Sequence, residues 1–122
     1  TAVIEAKVAS VMTGYNLINN IHASEHDYLN NQILKGEWGF NGFIVSDWVS
    51  TYDGLACAKG GLDLEMPTGA MMNRETLIPS IKNGDLDESI IEGFDFGYWT
   101  LYDYVSQFQY MFTKKGAKQL FH

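Results

Sequence analysis

A carboxylate at the end of an apolar run is the first candidate for chemistry. Residues 43–47 read Phe-Ile-Val-Ser-Asp, and Trp48 follows Asp47 at once. In folds built from strand–helix repeats, the carboxyl ends of parallel strands form the active face, so Asp47 is expected to point into a pocket. An indole can stack on a sugar ring while a carboxylate reaches its anomeric carbon. If Asp47 is functional, this arrangement would suit glycosidase chemistry; alternatively, Ser46 or Asp47 only caps the next helix.

A second candidate is the run from His22 to His26, which spells His-x-x-Glu-His with Glu25 and matches an inverted zinc-peptidase motif. Two zinc ligands four residues apart must share one helical face. Ser24 lies between them as the better N-cap, which would leave His22 in the preceding loop. The remaining histidine, His122, is the last residue. A zinc peptidase is therefore kept as a third hypothesis, after the two that are given at the end of this section. The main prediction includes no metal or other cofactor.

Four other positions could support a site. Asp63 and Glu65 alternate with apolar residues in 62–66, so both side chains are predicted to face one side of a strand. That side could bind a ligand, or its carboxylates could accept hydrogen bonds from neighbouring loops. Met12 and Tyr15 flank the end of another apolar run, where methionine usually fills a core and tyrosine donates in a pocket. By themselves, Met12 and Tyr15 do not indicate a function.

Three apolar runs are predicted to be strands that carry these side chains, each followed by a helix: residues 8–13, 43–47 and 62–66. Ser24 is predicted to cap a helix that includes Leu34, and Ser50 to begin a shorter helix that ends at Gly60. Both crossovers exceed the dozen or so residues that parallel strands require. The order β, α, β, α, β predicts an α/β fold with three parallel strands.

Two further helices are predicted after residue 72. A helix is expected from Asn73 to Asn83 with Pro79 inside it, and Asp87 is expected to cap a long helix. That helix carries an apolar stripe at spacings of three and four residues: Ile91, Phe94, Tyr98, Leu101, Val105, Phe108 and Phe112. Further aromatic residues lie off the stripe, so either both faces of this helix are packed against other elements or one face exposes apolar surface that favours association.

Composition limits the partners. The chain has 122 residues, 46% of them hydrophobic and 19% charged, which is typical of a folded domain and not of a disordered tail. Its net charge of −7 argues against nucleic acid or an anionic membrane surface as partner. Cys57 is predicted to be a buried helix residue. The chain starts at Thr1 without a leader, which suggests a mature product or an excised piece.

Three stretches of the sequence closely resemble glycoside hydrolase family 3, the β-glucosidase family: residues 10–16, 29–48 and 61–67. The joined run Glu-Trp-Gly-Phe-x-Gly-Phe-x-Val-Ser-Asp-Trp is highly specific. The resemblance covers residues 1–92 and implies the C-terminal part of the catalytic barrel domain. A complete (β/α)8 barrel needs about 250 residues, so we expect a partial TIM-type barrel. Residues 93–122 are expected to form a divergent aromatic-rich helix and tail.

The resemblance also implies a role for each of four residues. Asp47 would be the nucleophile of a retaining β-glycosidase that forms a covalent glycosyl-enzyme. Trp48 would wall the sugar subsite, Tyr15 would hydrogen-bond near the nucleophile, and Met12 would line the pocket. A β-glucoside is the expected substrate, and the family implies a secreted, extracellular protein.

The sequence departs from the family at several points. The family's sugar-binding aspartate, arginine and Lys-His pair belong to earlier strands, and its acid/base carboxylate comes from beyond the barrel. Asn20 and Val49 stand where the family commonly has glycine. We therefore expect a β-glycosidase of carbohydrate breakdown with little standalone activity. The alternative is a non-catalytic interaction module whose aromatic helix mediates self-association or binds the missing half of a barrel.

Overall fold

The computed structural model describes residues 2–90, in which strands and helices alternate. The elements are β1 (Ser10–Met12), β2 (Leu17–Ile18), β3 (Ile21–His22), a 3-10 turn (Ala23–Glu25), a π-helix (Tyr28–Glu37), β4 (Phe43–Trp48), α1 (Gly54–Lys59), β5 (Leu64–Met66) and α2 (Arg74–Lys82). The predicted aromatic helix lies outside the described residues. Within them, no helix has the length and apolar character needed to span a bilayer.

A three-stranded parallel sheet organises the molecule, with β4 between β1 and β5. Met12 pairs with Val45, and Trp48 pairs with Met66 after a shift in register. β4 is the central strand, and its successive residues Ile44 and Val45 are both buried, which explains its apolar sequence without alternation. Ile44 packs in the cluster that includes Leu34 and Cys57 of the covering helices. The predicted α/β fold with parallel strands is confirmed.

A β-hairpin inside the first crossover was not predicted. β2 and β3 pair antiparallel, and the two residues between them, Asn19 and Asn20, have φ values of 50° and 66°. Two consecutive left-handed residues are typical of the tight turns that suit the twist of a hairpin, and asparagine tolerates this conformation better than most side chains. An Asn-Asn pair between apolar residues was the signal in the sequence.

The predicted N-cap at Ser24 is wrong. Ser24 lies in the 3-10 turn and is fully buried, and its hydroxyl donates to the carbonyl oxygen of Ser50 at 2.8 Å. The hydroxyl is therefore committed to a tertiary contact, and the π-helix begins only at Tyr28. The residue before it, Asp27, makes no side-chain capping bond.

The predicted helix start at Ser50 is also wrong, because the cap of α1 is Asp53, whose carboxylate accepts from the Ala56 N–H at 2.9 Å. The predicted end at Gly60 is confirmed as the C-cap. α2 matches its prediction at both ends: Asn73 caps it through the Thr76 N–H at 2.9 Å, and Asn83 is its C-cap.

The core lies between the sheet and the helices that cover it. One cluster of buried apolar side chains joins the π-helix, β4 and α1: Leu34, Phe40, Ile44, Cys57 and Leu62. Cys57 is fully buried in α1, as predicted, and its burial raises the pKa of the thiol to about 11. Asn30 ties these layers together, because its buried amide donates to the carbonyl oxygens of Ala23 and Gly60, both at 2.9 Å.

Candidate active site

Asp47 lies near the carboxyl end of β4 and is half-buried. Its Oδ1 accepts from the backbone N–H of Trp48 at 2.7 Å and from the hydroxyl of Tyr15 at 3.2 Å. Within residues 2–90, no hydrogen bond reaches Oδ2. The carboxylate is thus held through one oxygen, and its second oxygen has no protein donor in the described part of the chain.

Tyr15 bridges the loop after β1 and the end of β4. Its hydroxyl lies 2.8 Å from the carbonyl oxygen of Trp48 as well as 3.2 Å from Asp47, so one phenolic proton serves two acceptors. Desolvation, followed by the hydrogen bond and the charge of Asp47, raises the pKa of Tyr15 above its ordinary value. Tyr15 therefore remains a protonated donor at neutral pH.

Trp48 and Met12 lie at the same edge of the sheet as Asp47. The side chain of Trp48 is 60% exposed and that of Met12 is 54% exposed, so neither is core filler in the described chain. Met12 ends β1 opposite Val45, two residues before Asp47 on the neighbouring strand. All four predicted site residues therefore share one edge of the sheet, where Tyr15 contacts both Asp47 and Trp48.

The turn after Asp47 is conformationally unusual. Val49 has a φ of 56° and is 70% exposed, and its N–H donates to the carbonyl oxygen of Met66 at 3.0 Å. A β-branched residue in the left-handed region is a strained outlier, and such outliers cluster at functional sites. The two positions where glycine was expected from the family, Asn20 and Val49, both have positive φ.

Two buried serines beside Asp47 were missed by the sequence analysis as parts of the site. The Ser46 hydroxyl donates to the carbonyl oxygen of Asp47 at 2.8 Å and accepts from the N–H of Met66 at 2.8 Å. The Ser50 hydroxyl donates to the same Asp47 carbonyl at 3.1 Å. Both serines are fully buried. A serine inside an apolar strand was the available signal, since a buried hydroxyl needs partners.

Glu65 makes the loop contacts that were one of the two predicted roles, whereas Asp63 is bonded to a helix and a strand instead. Asp63 pairs with Lys35 at 3.0 Å and accepts from the N–H of Ile44 at 2.7 Å. Glu65 is buried and accepts from the Thr51 hydroxyl at 2.7 Å. It also accepts from two consecutive backbone N–H groups in the loop before α2, those of Met71 and Met72. Both carboxylates are used to hold structure.

The two histidines of the His-x-x-Glu-His motif make separate contacts. His26 is buried, and its Nδ1 accepts from the N–H of Leu29 at 3.2 Å. The ring of His22 stacks on Tyr52 with centroids 3.8 Å apart. Among residues 2–90, no group of three or more histidine, cysteine, aspartate or glutamate side chains is placed to hold a metal ion.

One protein-family model matches most of the chain. The family model described as "Glycosyl hydrolase family 3 N terminal domain" matches residues 1–93. The chain belongs to glycosyl hydrolase family 3. The matched model is that of the N-terminal domain, so this chain belongs to the N-terminal part of the family's proteins and not to their C-terminal part. Placement of residues 1–92 in the last strands of the barrel stays a prediction.

Similar proteins are β-glucosidases by name. Thermostable beta-glucosidase B of Acetivibrio thermocellus is 40% identical over 90 residues, which are 74% of this chain and 12% of that protein. Probable beta-glucosidase G of Emericella nidulans is 35% identical over 116 residues, 87% of this chain and 14% of that protein. The second alignment extends beyond the family-model match. The chain thus spans only about an eighth of the length of these relatives.

Solved structures share the fold. A β-glucosidase from Kluyveromyces marxianus has a TM-score of 0.72 at 32% identity, covering 75% of this chain and 11% of that one. Beta-glucosidase 3B from Thermotoga neapolitana, solved in complex with glycerol, has a TM-score of 0.66 at 34% identity, covering 73% of this chain and 14% of that one. The parallel sheet with its covering helices is therefore a family 3 arrangement.

Proposed function

We propose that this chain carries the nucleophile strand of a retaining β-glucosidase-type site, and that alone it hydrolyses β-glucosides weakly or not at all. The observation that carries the proposal is the state of Asp47: Oδ1 is fixed by Trp48 and Tyr15, and Oδ2 has no donor within residues 2–90. An immobilised carboxylate with one available oxygen suits attack on a carbon atom.

The proposed reaction has two displacements. Oδ2 of Asp47 bonds to the anomeric carbon as the bond to the leaving oxygen breaks, and that oxygen takes a proton from an acid. Water then attacks the same carbon and gives one proton to the conjugate base of that acid, the ester to Asp47 breaks, and the sugar leaves with its original configuration. Trp48 is proposed to face the sugar, Met12 to line the subsite, and Tyr15 to hold Oδ1 while charge on the carboxylate changes.

The proposal of weak activity rests on what a single carboxylate can contribute. Transition-state stabilisation requires a proton donor and groups that bind the sugar hydroxyls, and the family resemblance puts these on other segments. We propose that residues 1–92 form three strand–helix units of a (β/α)8 barrel and that residues 93–122 are a divergent aromatic-rich segment. Secretion is proposed on the same family resemblance.

Trapping the covalent intermediate tests the nucleophile directly. A 2-deoxy-2-fluoro-β-glucoside with a dinitrophenolate leaving group needs no acid, because the leaving group departs unprotonated. We expect slow glycosylation of the 122-residue chain on the peptide that contains Asp47, detected by mass spectrometry. Asp47→Asn should abolish it, and Asp63→Asn should keep it as the matched carboxylate control.

Three outcomes would contradict parts of the proposal. Labelling on another residue, or none at all in the folded chain, removes Asp47 as nucleophile. Clear turnover of an ordinary aryl β-glucoside that disappears in Asp47→Asn shows the weak-activity part to be wrong.

A second candidate function is the non-catalytic interaction module. The exposed apolar side chains of the β2–β3 hairpin favour it, since Leu17 is 54% and Ile21 is 45% exposed. This function predicts self-association, or association with another segment of a barrel. Sedimentation at several concentrations tests self-association, and a monomer at every concentration removes that form of the hypothesis.

A further inference from the structure

We propose that three buried serines, Ser24, Ser46 and Ser50, form a clamp that fixes the main chain of Asp47 and so sets the direction of its carboxylate. They act as positioning residues, because Ser46 and Ser50 reach Asp47 only through its backbone and Ser24 in turn holds Ser50. The inference rests on the proposed function, in which the carboxylate of Asp47 reacts. We call these three residues the serine clamp.

The clamp converges on one atom, the carbonyl oxygen of Asp47. The hydroxyl of Ser46 donates to it at 2.8 Å, the hydroxyl of Ser50 at 3.1 Å and the backbone N–H of Ser50 at 3.3 Å. A carbonyl oxygen has two lone pairs, so three donors saturate it. This peptide group cannot rotate without breaking several hydrogen bonds at once.

The clamp is anchored to elements on both sides of Asp47. The Ser46 hydroxyl accepts from the Met66 N–H of β5 at 2.8 Å, while the Ser24 hydroxyl in the 3-10 turn donates to the Ser50 carbonyl oxygen at 2.8 Å. All three serine side chains are fully buried. Water therefore does not compete for these bonds, and the low local dielectric strengthens each of them.

The fixed backbone constrains the carboxylate because an aspartate side chain has only two rotatable bonds. With the peptide held by the clamp, the Trp48 N–H at 2.7 Å from Oδ1 selects one orientation of the carboxyl group. The clamp also holds the tight turn closed although Val49 has a φ of 56°. Loss of the hydroxyls should let the turn relax and move the carboxylate away from Tyr15.

The pKa of Tyr15 provides a measurement that would not change if the three serines had a merely structural role. Part of the elevation of its pKa comes from the hydrogen bond and charge of Asp47, so this part reports the position of the carboxylate. The experiment titrates the 122-residue chain labelled with 13C at tyrosine Cζ and follows each resonance by NMR. Tyr15→Phe assigns the signal, and Asp47→Asn defines the full effect of removing the carboxylate charge.

We expect the Ser46→Ala/Ser50→Ala double variant to lower the pKa of Tyr15 by at least half of the decrease seen in Asp47→Asn. The control is Ser80→Ala, which removes a serine hydroxyl that donates to the Thr76 carbonyl oxygen within α2 at 3.0 Å. That variant should leave the titration unchanged. A folded double variant in which Tyr15 titrates as in the parent chain overturns the proposal.

If the double variant fails to fold, a matched pair at one position gives the answer. Ser50→Thr keeps the hydroxyl and Ser50→Val replaces it with a methyl group of similar size. We expect Tyr15 to keep its pKa in the threonine variant and to lose part of its elevation in the valine variant; equal values in both would refute the clamp. The NMR titration does not require catalysis. If trapping fails while the serine variants still change the pKa of Tyr15, Asp47 is rejected as the nucleophile and the serine clamp stands.

Discussion

The carboxylate of Asp47 in β4 and those of Asp63 and Glu65 in the neighbouring β5 region are bound differently. Each oxygen of Asp63 has a donor, one from Lys35 and the other from the backbone of Ile44. Both oxygens of Glu65 also accept from the following loop or from Thr51. Asp47 has donors on Oδ1 alone within the described chain.

The difference follows from burial. Glu65 is only 8% exposed, and a carboxylate at that depth must replace most of its lost hydration with protein donors. Asp47 lies where its strand ends and remains half-exposed, so solvent can hydrate the oxygen that lacks a donor. The two carboxylates of the β5 region are thus bonded through both oxygens, whereas the proposed nucleophile keeps one oxygen accessible.

The largest expected effect separates Glu65 from Asp47 in stability. Glu65→Ala should lower the free energy of unfolding by about 4 kcal/mol, because it leaves the Thr51 hydroxyl and two loop N–H groups without their acceptor. Asp47→Asn should change it by less than about 1 kcal/mol, since the amide oxygen can still accept from Trp48. Urea denaturation followed by circular dichroism measures both, and equal losses would remove the contrast.

A smaller effect is expected at Asp63. Asp63→Asn should cost about 2 kcal/mol, because the variant loses the charge that pairs with Lys35 in a partly buried setting. Lys35→Met should destabilise the chain by a similar or smaller amount, and the double variant should cost less than the sum of the two. Additive losses in this cycle would show that the two side chains are not coupled.

Val49 tests whether strain is concentrated beside Asp47. Val49→Gly should stabilise the chain by about 0.5–1 kcal/mol, since glycine adopts a positive φ without the steric cost that valine incurs. Asn20→Gly is the comparison, and its gain should be smaller because asparagine tolerates this region. Thermal unfolding measures both; a lower midpoint for Val49→Gly would mean that the left-handed turn carries no net strain.

The smallest effect concerns Asp87, an exposed carboxylate that, like Asp47, has donors on Oδ1 alone among the described residues. Its Oδ1 accepts from the hydroxyl and the N–H of Ser89, and these bonds hold its pKa below the ordinary value. The stability it contributes is present above the ordinary aspartate pKa and is lost as the pH falls through the lowered one. Ser89→Ala should raise this pKa towards its usual value, measured by 13C NMR of the carboxyl carbon; an unchanged pKa would exclude the hydroxyl as a cause.

Local patterns predicted part of the fold well. The apolar run of β4 and the caps of α2 at Asn73 and Asn83 depend on neighbouring residues in the chain, so the sequence was sufficient for them. The resemblance also brought Tyr15, Asp47, Trp48 and Met12 forward before any geometry was available. What it could not provide was the hydrogen bonding of each oxygen of Asp47, because one of the donors, Tyr15, lies 32 positions away in the sequence.

The failures share one cause. Ser24 and Ser50 are good helix caps in isolation, but the structure uses both hydroxyls in other contacts, and the Ser24–Ser50 bond joins residues 26 positions apart. Asp53, which follows Ser50 within the same short turn, was available in the sequence as the cap of α1. Propensity therefore gave suitable residue types at these turns and the wrong assignment of roles.

The buried thiol of Cys57 makes the core's opening measurable. With a pKa of about 11, only about one thiol in ten thousand is ionised at pH 7 even before access is considered. The side chain is fully buried in the cluster that includes Leu34 and Ile44, so a thiol reagent can reach it only when this part of the core opens. The rate of thiol labelling in mild conditions then reports how often the core around Cys57 opens, without any added probe.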